Sequence, residues 1–171
     1  MPAPDPAPPE IKYLECDGGV TLGYRFSPGS GPTIVFLAGF KSDMEGTKAQ
    51  ALEAHCQQVG HSFLRFDYSG HGVSSGAFED GTIGQWAEDA RTLVDAVAPG
   101  PLVLVGSSMG GWIMLLLTQM LGHRVVGLVG LAAAPDFTER LLRANMSAGD
   151  QETLARDGKL SVPSPYGPEP T

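Results

Sequence analysis

The chain has 171 residues, of which 42% are hydrophobic and 18% are charged, a composition typical of one soluble globular domain. Its net charge is −8 and it has no basic run, which argues against nucleic acid or an anionic membrane as a partner. Neither a membrane-spanning apolar stretch nor a secretory signal is found, so we expect a soluble, cytoplasmic protein. Two cysteines do not make a disulfide framework, and the helical spacing of Cys56 predicts a core thiol.

Strands and helices are predicted to alternate along the chain. The Pro-rich residues 1–10 are expected to be disordered, and a hairpin with a Gly-rich turn at residues 17–19 follows them. Apolar patterning then predicts strands at 33–37, 61–66, 102–105 and 125–132, and helices at 46–59, 83–97 and 109–120. This alternation indicates an α/β fold with a mostly parallel sheet and helices on both faces.

The alternation ends after Pro135. Residues 137–144 and 148–156 have helical apolar spacing with no strand between them, and residues 161–171 are turn and loop material. Two helices without a strand are expected of a lid inserted over a site. The predicted organisation is a lead-in at 1–10, a core at 11–135 and the start of a lid at 136–171.

The strand predicted at residues 125–132 would form an open edge of the sheet. It is apolar and uncharged, and no later strand is predicted to pair with its outer side. Such an edge is a template for association. The sequence therefore predicts self-association of the chain through this strand.

A serine motif joins the apolar strand at residues 102–105 to an apolar helix. In Gly106-Ser107-Ser108-Met109-Gly110, the G-x-S-x-G spacing is that of a sharp strand–turn–helix junction that presents a nucleophilic serine. Side chains at Gly106 and Gly110 would collide at such a turn. The helix that follows directs its first N–H groups and its positive dipole end to the same point, which suits an oxyanion. We therefore predict that Ser108 is a catalytic nucleophile.

A second element with catalytic potential follows the strand at residues 33–37. The sequence Ala38-Gly39-Phe40 would bring the Phe40 backbone N–H to the same sheet edge as Ser108. With the Met109 N–H it would form a two-donor oxyanion hole. The alternative is that Gly39 merely relaxes a turn. Residues 41–43 are expected to start the next helix, with Ser42 or Asp43 as its N-cap.

No well-placed base follows Ser108. The order expected for this motif is serine, acid and then histidine, but the only later histidine is His123, which is predicted at the opposite end of the sheet. His71 is the one base candidate at the correct edge, although we favour a tight loop in which Asp67 accepts hydrogen bonds from loop N–H groups. Asp136 is the one acid with a reasonable position, and capping of the helix at residue 137 is its favoured role.

Three motifs in order resemble one subfamily of the α/β-hydrolases. They are residues 36–48 (Phe-Leu-Ala-Gly-Phe-Lys-Ser-Asp-Met-Glu-Gly-Thr-Lys), 65–70 (Arg-Phe-Asp-Tyr-Ser-Gly) and 105–112 (Val-Gly-Ser-Ser-Met-Gly-Gly-Trp). The subfamily is that of the mitochondrial mycophenolic-acid acyl-glucuronide esterase, also described as a palmitoyl-protein thioesterase, and its bacterial relatives. The resemblance covers about residues 11–166.

The resemblance implies an enzyme that hydrolyses esters or acyl thioesters, on small molecules or acylated proteins, without a cofactor or metal. Ser108 is implied as the nucleophile, with the Phe40 and Met109 amides as oxyanion donors. The acid and histidine of the subfamily lie on later strands, so the chain is expected to be the N-terminal portion of a longer enzyme. A silent paralogue, a binding module and an acyltransferase on the same motif remain open. Without an Arg-rich transit segment, the mitochondrial address is not implied.

Overall fold

The computed structural model describes residues 7–161 of the chain. Residues 7–10 lie in no helix or strand, and the rest of the predicted lead-in lies outside the described residues, as do residues 162–171 of the predicted terminal loop. The described residues form two compact units, one ending at Ala134 and one beginning at Pro135.

The first unit contains the sheet and three helices. Its strands are β1 (Lys12–Glu15), β2 (Thr21–Ser27), β3 (Ser30–Leu37), β4 (His61–Phe66), β5 (Leu102–Ser107) and β6 (Val125–Leu131). Its helices are α1 (Thr47–Val59), α2 (Ile83–Val97) and α3 (Met109–Leu121). No helix within residues 7–161 is both long and apolar enough to cross a membrane.

The six strands form one sheet in the order β1-β2-β4-β3-β5-β6. Strands β4, β3, β5 and β6 are parallel, whereas β2 pairs antiparallel with β1 and β4. The predicted hairpin turn is present, and Gly18 and Gly19 adopt φ values of 76° and 80° there, which side chains disfavour. The α/β-hydrolase fold expected from the sequence is thus confirmed.

The central strands and helix α2 have the burial that their patterns predict. Val35 and Leu37 on β3 and Leu104 on β5 are fully buried, as expected of parallel strands covered on both faces. Helix α2 begins after Thr82, whose hydroxyl accepts a hydrogen bond from the Gln85 N–H at 3.1 Å. Its apolar residues at helical spacing include the buried Trp86, Ala90, Leu93 and Val94, whereas Ile83 and Val97 on the same face are half-buried.

Helix α1 begins later than the N-cap prediction requires. It starts at Thr47 with Gly46 in the cap position, so the prediction of Ser42 or Asp43 as N-cap is wrong. The Asp43 carboxylate instead accepts the Glu45 N–H at 2.9 Å, which closes a local turn of the type that Asp favours. Cys56 is buried on α1 as predicted.

Strand β6 forms one edge of the described sheet. Within residues 7–161 it pairs only with β5. Val126 is 58% exposed, and Leu128 and Val129 are each 45% exposed. The described residues therefore leave both the backbone edge and much of the apolar surface of β6 open to solvent.

The second unit is helical. A helical turn at Thr138–Leu142 and a short one at Arg143–Asn145 precede α4 (Ala148–Asp157), which agrees with the predicted helical pieces. The backbone carbonyl of Asp136 accepts the Glu139 and Arg140 N–H groups at 3.1 and 2.9 Å. No side chain caps this turn, so the prediction that the Asp136 carboxylate would cap it is wrong.

Candidate active site

Ser108 lies at the junction between β5 and α3 in a strained conformation. Its φ is 52° and its ψ is −117°. A non-glycine residue in this backbone region has a conformational free energy that is about 1–3 kcal/mol unfavourable. Backbone bonds hold it there: the Ser108 N–H donates to the Leu131 carbonyl at 3.0 Å, and its carbonyl accepts from Gly111 at 2.9 Å and Ala134 at 3.0 Å. Because the residue is exposed, its hydroxyl is accessible to a substrate.

The glycines around Ser108 are required by close backbone contacts. A Cβ atom at Gly106 would lie 2.5 Å from the Gly110 carbonyl oxygen, and one at Gly110 would overlap the Leu37 carbonyl oxygen. Both distances are shorter than van der Waals contact allows, which confirms the collision expected from the motif. Gly110 thereby brings the start of α3 against the end of β3.

The loop after β3 packs against the Ser108 turn. We call residues 39–41 the oxyanion loop, after the role that the sequence predicts for Phe40. A Cβ atom at Gly39 would lie 3.3 Å from the Ser107 carbonyl oxygen and 3.4 Å from the Ser108 Cβ, so the two backbones are close neighbours. Lys41 has a φ of 52°, and the Ser42 N–H donates to the Gly39 carbonyl at 3.1 Å. The loop is therefore a tight turn beside Ser108.

Met109 is the other residue predicted to contribute an oxyanion donor. It is the first residue of α3 and is fully buried. The first N–H groups of a helix have no acceptor within that helix, and they carry the positive end of the helix dipole. The Met109 amide thus has the chemistry of an anion donor, and the helix fixes its direction.

Met44 ties the segment that follows the oxyanion loop to the end of β4. Its N–H donates to Asp67 Oδ1 at 2.6 Å, and its carbonyl accepts from Arg65 Nη1 at 2.6 Å. The Val73 N–H donates to the second Asp67 oxygen at 3.0 Å. Burial raises the pKa of Asp67, and the two backbone bonds oppose that rise. The prediction that Asp67 accepts loop N–H groups is confirmed.

Arg65 and Glu53 form a buried ion pair that sequence reasoning missed. Arg65 is fully buried on β4 and its Nη2 lies 2.7 Å from Oε2 of Glu53 on α1. Burial alone would lower the pKa of Arg65, but hydrogen bonds to Glu53 and Glu45 raise it above its ordinary value. An arginine between Leu64 and Phe66, at the apolar end of a strand, is the signal in the sequence that could have suggested a buried partner.

His71 lies in the tight loop predicted after β4, where Gly70 and Gly72 have φ values of 73° and 50°. Its Nδ1 lies 3.3 Å from the Ser69 carbonyl, a contact that is a hydrogen bond when Nδ1 carries the hydrogen. The buried Nε2 has no hydrogen-bond partner within residues 7–161. Burial lowers the pKa of His71, which favours the neutral ring. Its nitrogens therefore do not pair with Asp67.

Aromatic rings enclose His71. Its ring centroid lies 5.5 Å from that of Tyr68, 5.1 Å from that of Phe78 and 4.9 Å from that of Trp86. The buried Asp89 on α2, also missed by sequence reasoning, accepts the Ser69 hydroxyl at 2.6 Å and fixes this loop. His71 is thus part of a packed cluster.

The remaining predicted residues lie elsewhere. His123 is exposed in the turn Gly122–Arg124, before the N-terminal end of β6, whereas Ser108 follows the C-terminal end of β5. Because β5 and β6 are parallel, His123 is at the opposite end of the sheet, as predicted. Asp136 belongs to the second unit. No cluster of metal-ligating side chains occurs within residues 7–161.

Known proteins similar to this chain share its fold and much of its sequence. Mitochondrial palmitoyl-protein thioesterase ABHD10 of Bos taurus is 46% identical over 159 residues, 93% of this chain and 52% of that protein. The mouse alpha/beta hydrolase domain-containing protein 10 superimposes with a TM-score of 0.83 at 38% identity, covering 92% of this chain and 62% of that one. A putative hydrolase from Agrobacterium vitis S4 superimposes with a TM-score of 0.86 at 37% identity, covering 96% and 68% of the two chains.

The match extends over most of this chain but not over most of the curated relatives. The chain spans about half the length of the thioesterases that it resembles. Residues 34–169 match the profile of the alpha/beta hydrolase family. With the sheet order and the Ser108 turn described above, this match establishes that the chain belongs to the alpha/beta hydrolase family.

Proposed function

We propose that this chain carries the nucleophilic part of a serine hydrolase that cleaves carboxylic esters or acyl thioesters. The observation that carries the proposal is the exposed Ser108 at a φ of 52°, between glycines whose replacement would produce backbone clashes. Strain of this kind persists only where the surroundings enforce it, and it is concentrated at functional sites. The similarity to palmitoyl-protein thioesterases supports an acyl ester or thioester as the substrate.

The proposed reaction passes through an acyl-enzyme. The Ser108 hydroxyl transfers its proton to a histidine base while its oxygen bonds to the acyl carbon. The Phe40 and Met109 N–H groups stabilise the oxyanion of the tetrahedral intermediate. The bond to the leaving oxygen or sulfur then breaks, and the leaving group takes the proton from the histidine. Water activated by the same base attacks the acyl-enzyme and releases the acid and free Ser108, with no cofactor.

In this proposal the histidine and the acid lie beyond residue 171. Two findings support this: His71 is enclosed by aromatic rings, and His123 lies at the far end of the sheet. The unit that begins at Pro135 is proposed to act as the start of a lid that selects the acyl group. The compartment is proposed to be the cytoplasm, or the mitochondrion as the names of the relatives indicate.

A fluorophosphonate probe tests the assignment of the nucleophile. We expect the probe to label Ser108 in an extended protein that contains this chain, and Ser108→Ala to abolish both labelling and p-nitrophenyl ester hydrolysis, with activity falling by several orders of magnitude. Ser107→Ala is the matched control, because Ser107 is the adjacent serine but is buried at the end of β5. Labelling of a serine other than Ser108 would overturn the assignment.

The activity of residues 1–171 alone separates the competing functions. Without a base the chain should turn over ester far more slowly than the extended protein, although oxyanion stabilisation leaves some catalysis. Full activity of the 171-residue chain would make His71 the base, and His71→Ala would then abolish it. A catalytically silent binding module is the second candidate, and the enclosed position of His71 favours it. In that case the fluorophosphonate probe should label neither the 171-residue chain nor the extended protein.

A further inference from the structure

The ring of Phe78 contacts both residues that complete the oxyanion loop. The Phe40 ring meets it edge-on, with centroids 5.0 Å apart and planes at 77°. The Lys41 ammonium lies 5.1 Å from the centre of the same ring, within the range of a cation–π interaction. Phe78 lies in the short turn Phe78–Asp80 before α2, so these contacts join two segments that are distant in sequence.

Phe78 is itself held by buried neighbours. It stacks on Trp86 with centroids 5.6 Å apart and planes at 27°, and it meets the His71 ring at 5.1 Å. Trp86 is buried on α2 and donates its Nε1 hydrogen to the Ser69 carbonyl at 3.0 Å. A Cβ atom at Gly70 would lie 2.8 Å from the Phe78 Cα, so the loop backbone also packs closely against this turn. The Phe78 ring is therefore a fixed support.

The oxyanion loop needs such a support because its conformation is unfavourable by itself. Lys41 has a φ of 52°, and a non-glycine residue remains there only when its surroundings enforce it. Gly39 packs against Ser107 at one end of the loop, and Met44 is bonded to Asp67 and Arg65 beyond its other end. Between these two attachments, the Phe78 ring contacts two side chains of the loop, those of Phe40 and Lys41.

We propose that Phe78 is a positioning residue for the oxyanion hole. Its ring fixes the Phe40 and Lys41 side chains and so holds the Phe40 amide where the oxyanion forms. The inference rests on the proposed function, since it assigns a role to Phe78 only if Ser108 performs acyl transfer. It assigns to Phe78 an effect on one of the two donors that is transmitted through the side chains of Phe40 and Lys41.

The expected effect is on the transition state and not on substrate binding. Loss of one oxyanion donor lowers the rate about 10²–10³-fold, and a donor displaced by about 1 Å loses part of that factor. We therefore expect Phe78→Leu to lower the maximal rate of labelling at Ser108 by about 10–100-fold. The concentration of probe at half-maximal rate should change little, because the ground state makes no bond to the oxyanion hole.

The experiment measures labelling rate against fluorophosphonate concentration in the extended protein that contains this chain. Phe78→Tyr keeps the ring and should label at the wild-type rate, and an unchanged half-maximal probe concentration in Phe78→Leu separates a positioning effect from a loss of binding. Phe26→Leu is the matched control, because Phe26 is also half-buried but lies on β2, two strands from β3. The fluorophosphonate should label this control variant at the same rate as the wild type.

A second variant removes the same contact from the other side. Phe40→Leu keeps the backbone amide but loses the ring, so it should slow labelling, and the Phe40→Leu/Phe78→Leu double variant should be little slower than either single one. If Phe78→Leu fails to fold, the single variant Phe40→Leu decides the matter. Wild-type rates in both single variants overturn the positioning role while leaving Ser108 as the nucleophile. Absence of Ser108 labelling in the wild type overturns the proposed function and this inference together.

Discussion

Removing Glu53 is predicted to destabilise the protein strongly, because it leaves a buried positive charge without its partner. Arg65 is fully buried and Glu53 is 3% exposed, and their side chains are joined at 2.7 Å. The Ser27 hydroxyl donates to the second Glu53 oxygen at 2.9 Å. In Glu53→Leu the guanidinium keeps its burial but loses this counter-charge.

The magnitude follows from what remains around Arg65. Removing one member of a buried ion pair costs about 3–5 kcal/mol. Glu45 still lies 2.9 Å from Arg65, but its side chain is 40% exposed and compensates only in part, so we expect a loss of about 3 kcal/mol. The double variant Glu53→Leu/Arg65→Met removes the unpaired charge. It leaves the Met44 carbonyl without its Arg65 donor, at a cost of about 1–3 kcal/mol, while the loss of the Ser27 acceptor is common to both variants. It should be at least as stable as Glu53→Leu.

Urea-induced unfolding at pH 7, extrapolated to water, measures these differences. The matched control is Glu88→Leu, because Glu88 forms a 2.8 Å pair with Arg91 in which the side chains are 48% and 42% exposed. Exposed ion pairs contribute little to the stability of the folded state, so this control should change the free energy of unfolding by no more than about 0.5 kcal/mol. A loss in Glu53→Leu no larger than that of the control would refute the argument.

Two further predictions follow from His71 and β6. The folded-state pKa of His71 lies below 6.5, so the unfolded chain binds the proton first and stability should fall as the pH is lowered through about 6.5. Urea unfolding between about pH 5.5 and 7 should show a smaller pH slope for His71→Gln than for the exposed control His123→Gln, and equal slopes would contradict it. Strand β6 should mediate self-association of the 171-residue chain, so sedimentation of that chain should detect oligomers. Val126→Lys should dissociate them, whereas the control Leu115→Lys, at a position on α3 that is 41% exposed, should not. A wild-type monomer would reject this prediction.

The parts of the structure that could be predicted from sequence are those determined by local pattern. The alternation of apolar strands and helices predicts the parallel sheet, and the Gly-x-Ser-x-Gly spacing predicts the strained turn at Ser108, where a side chain at Gly106 would collide with the backbone of Gly110 in the same motif. The loop around His71 was predictable for the same reason: its two glycines permit positive φ values. The pattern that predicts each of these features is local in sequence, although the contact that requires Gly110 is made with the distant Leu37.

Other features depend on partners distant in sequence. Nothing near Glu53 indicates that Arg65 lies beside it, and nothing near Phe78 indicates that Phe40 packs on its ring. The start of α1 shows how a distant partner can override local propensity. Asp43 has the chemistry of an N-cap, yet the helix begins at Thr47 because the intervening Met44 is bonded to the end of β4.

The two proposed oxyanion donors are fixed in different ways, and this difference explains which substitutions should affect catalysis from a distance. The Met109 amide belongs to the first turn of α3, so the helix itself sets its direction. The Phe40 amide lies in a loop with no regular structure, and its position depends on side chains from other segments, among them Phe78 and Arg65. Variants of these two residues should therefore slow acyl transfer by displacing the Phe40 amide. Exposed residues on α3 should tolerate substitution, because the first turn of that helix is fixed by its own backbone and by buried contacts with β3.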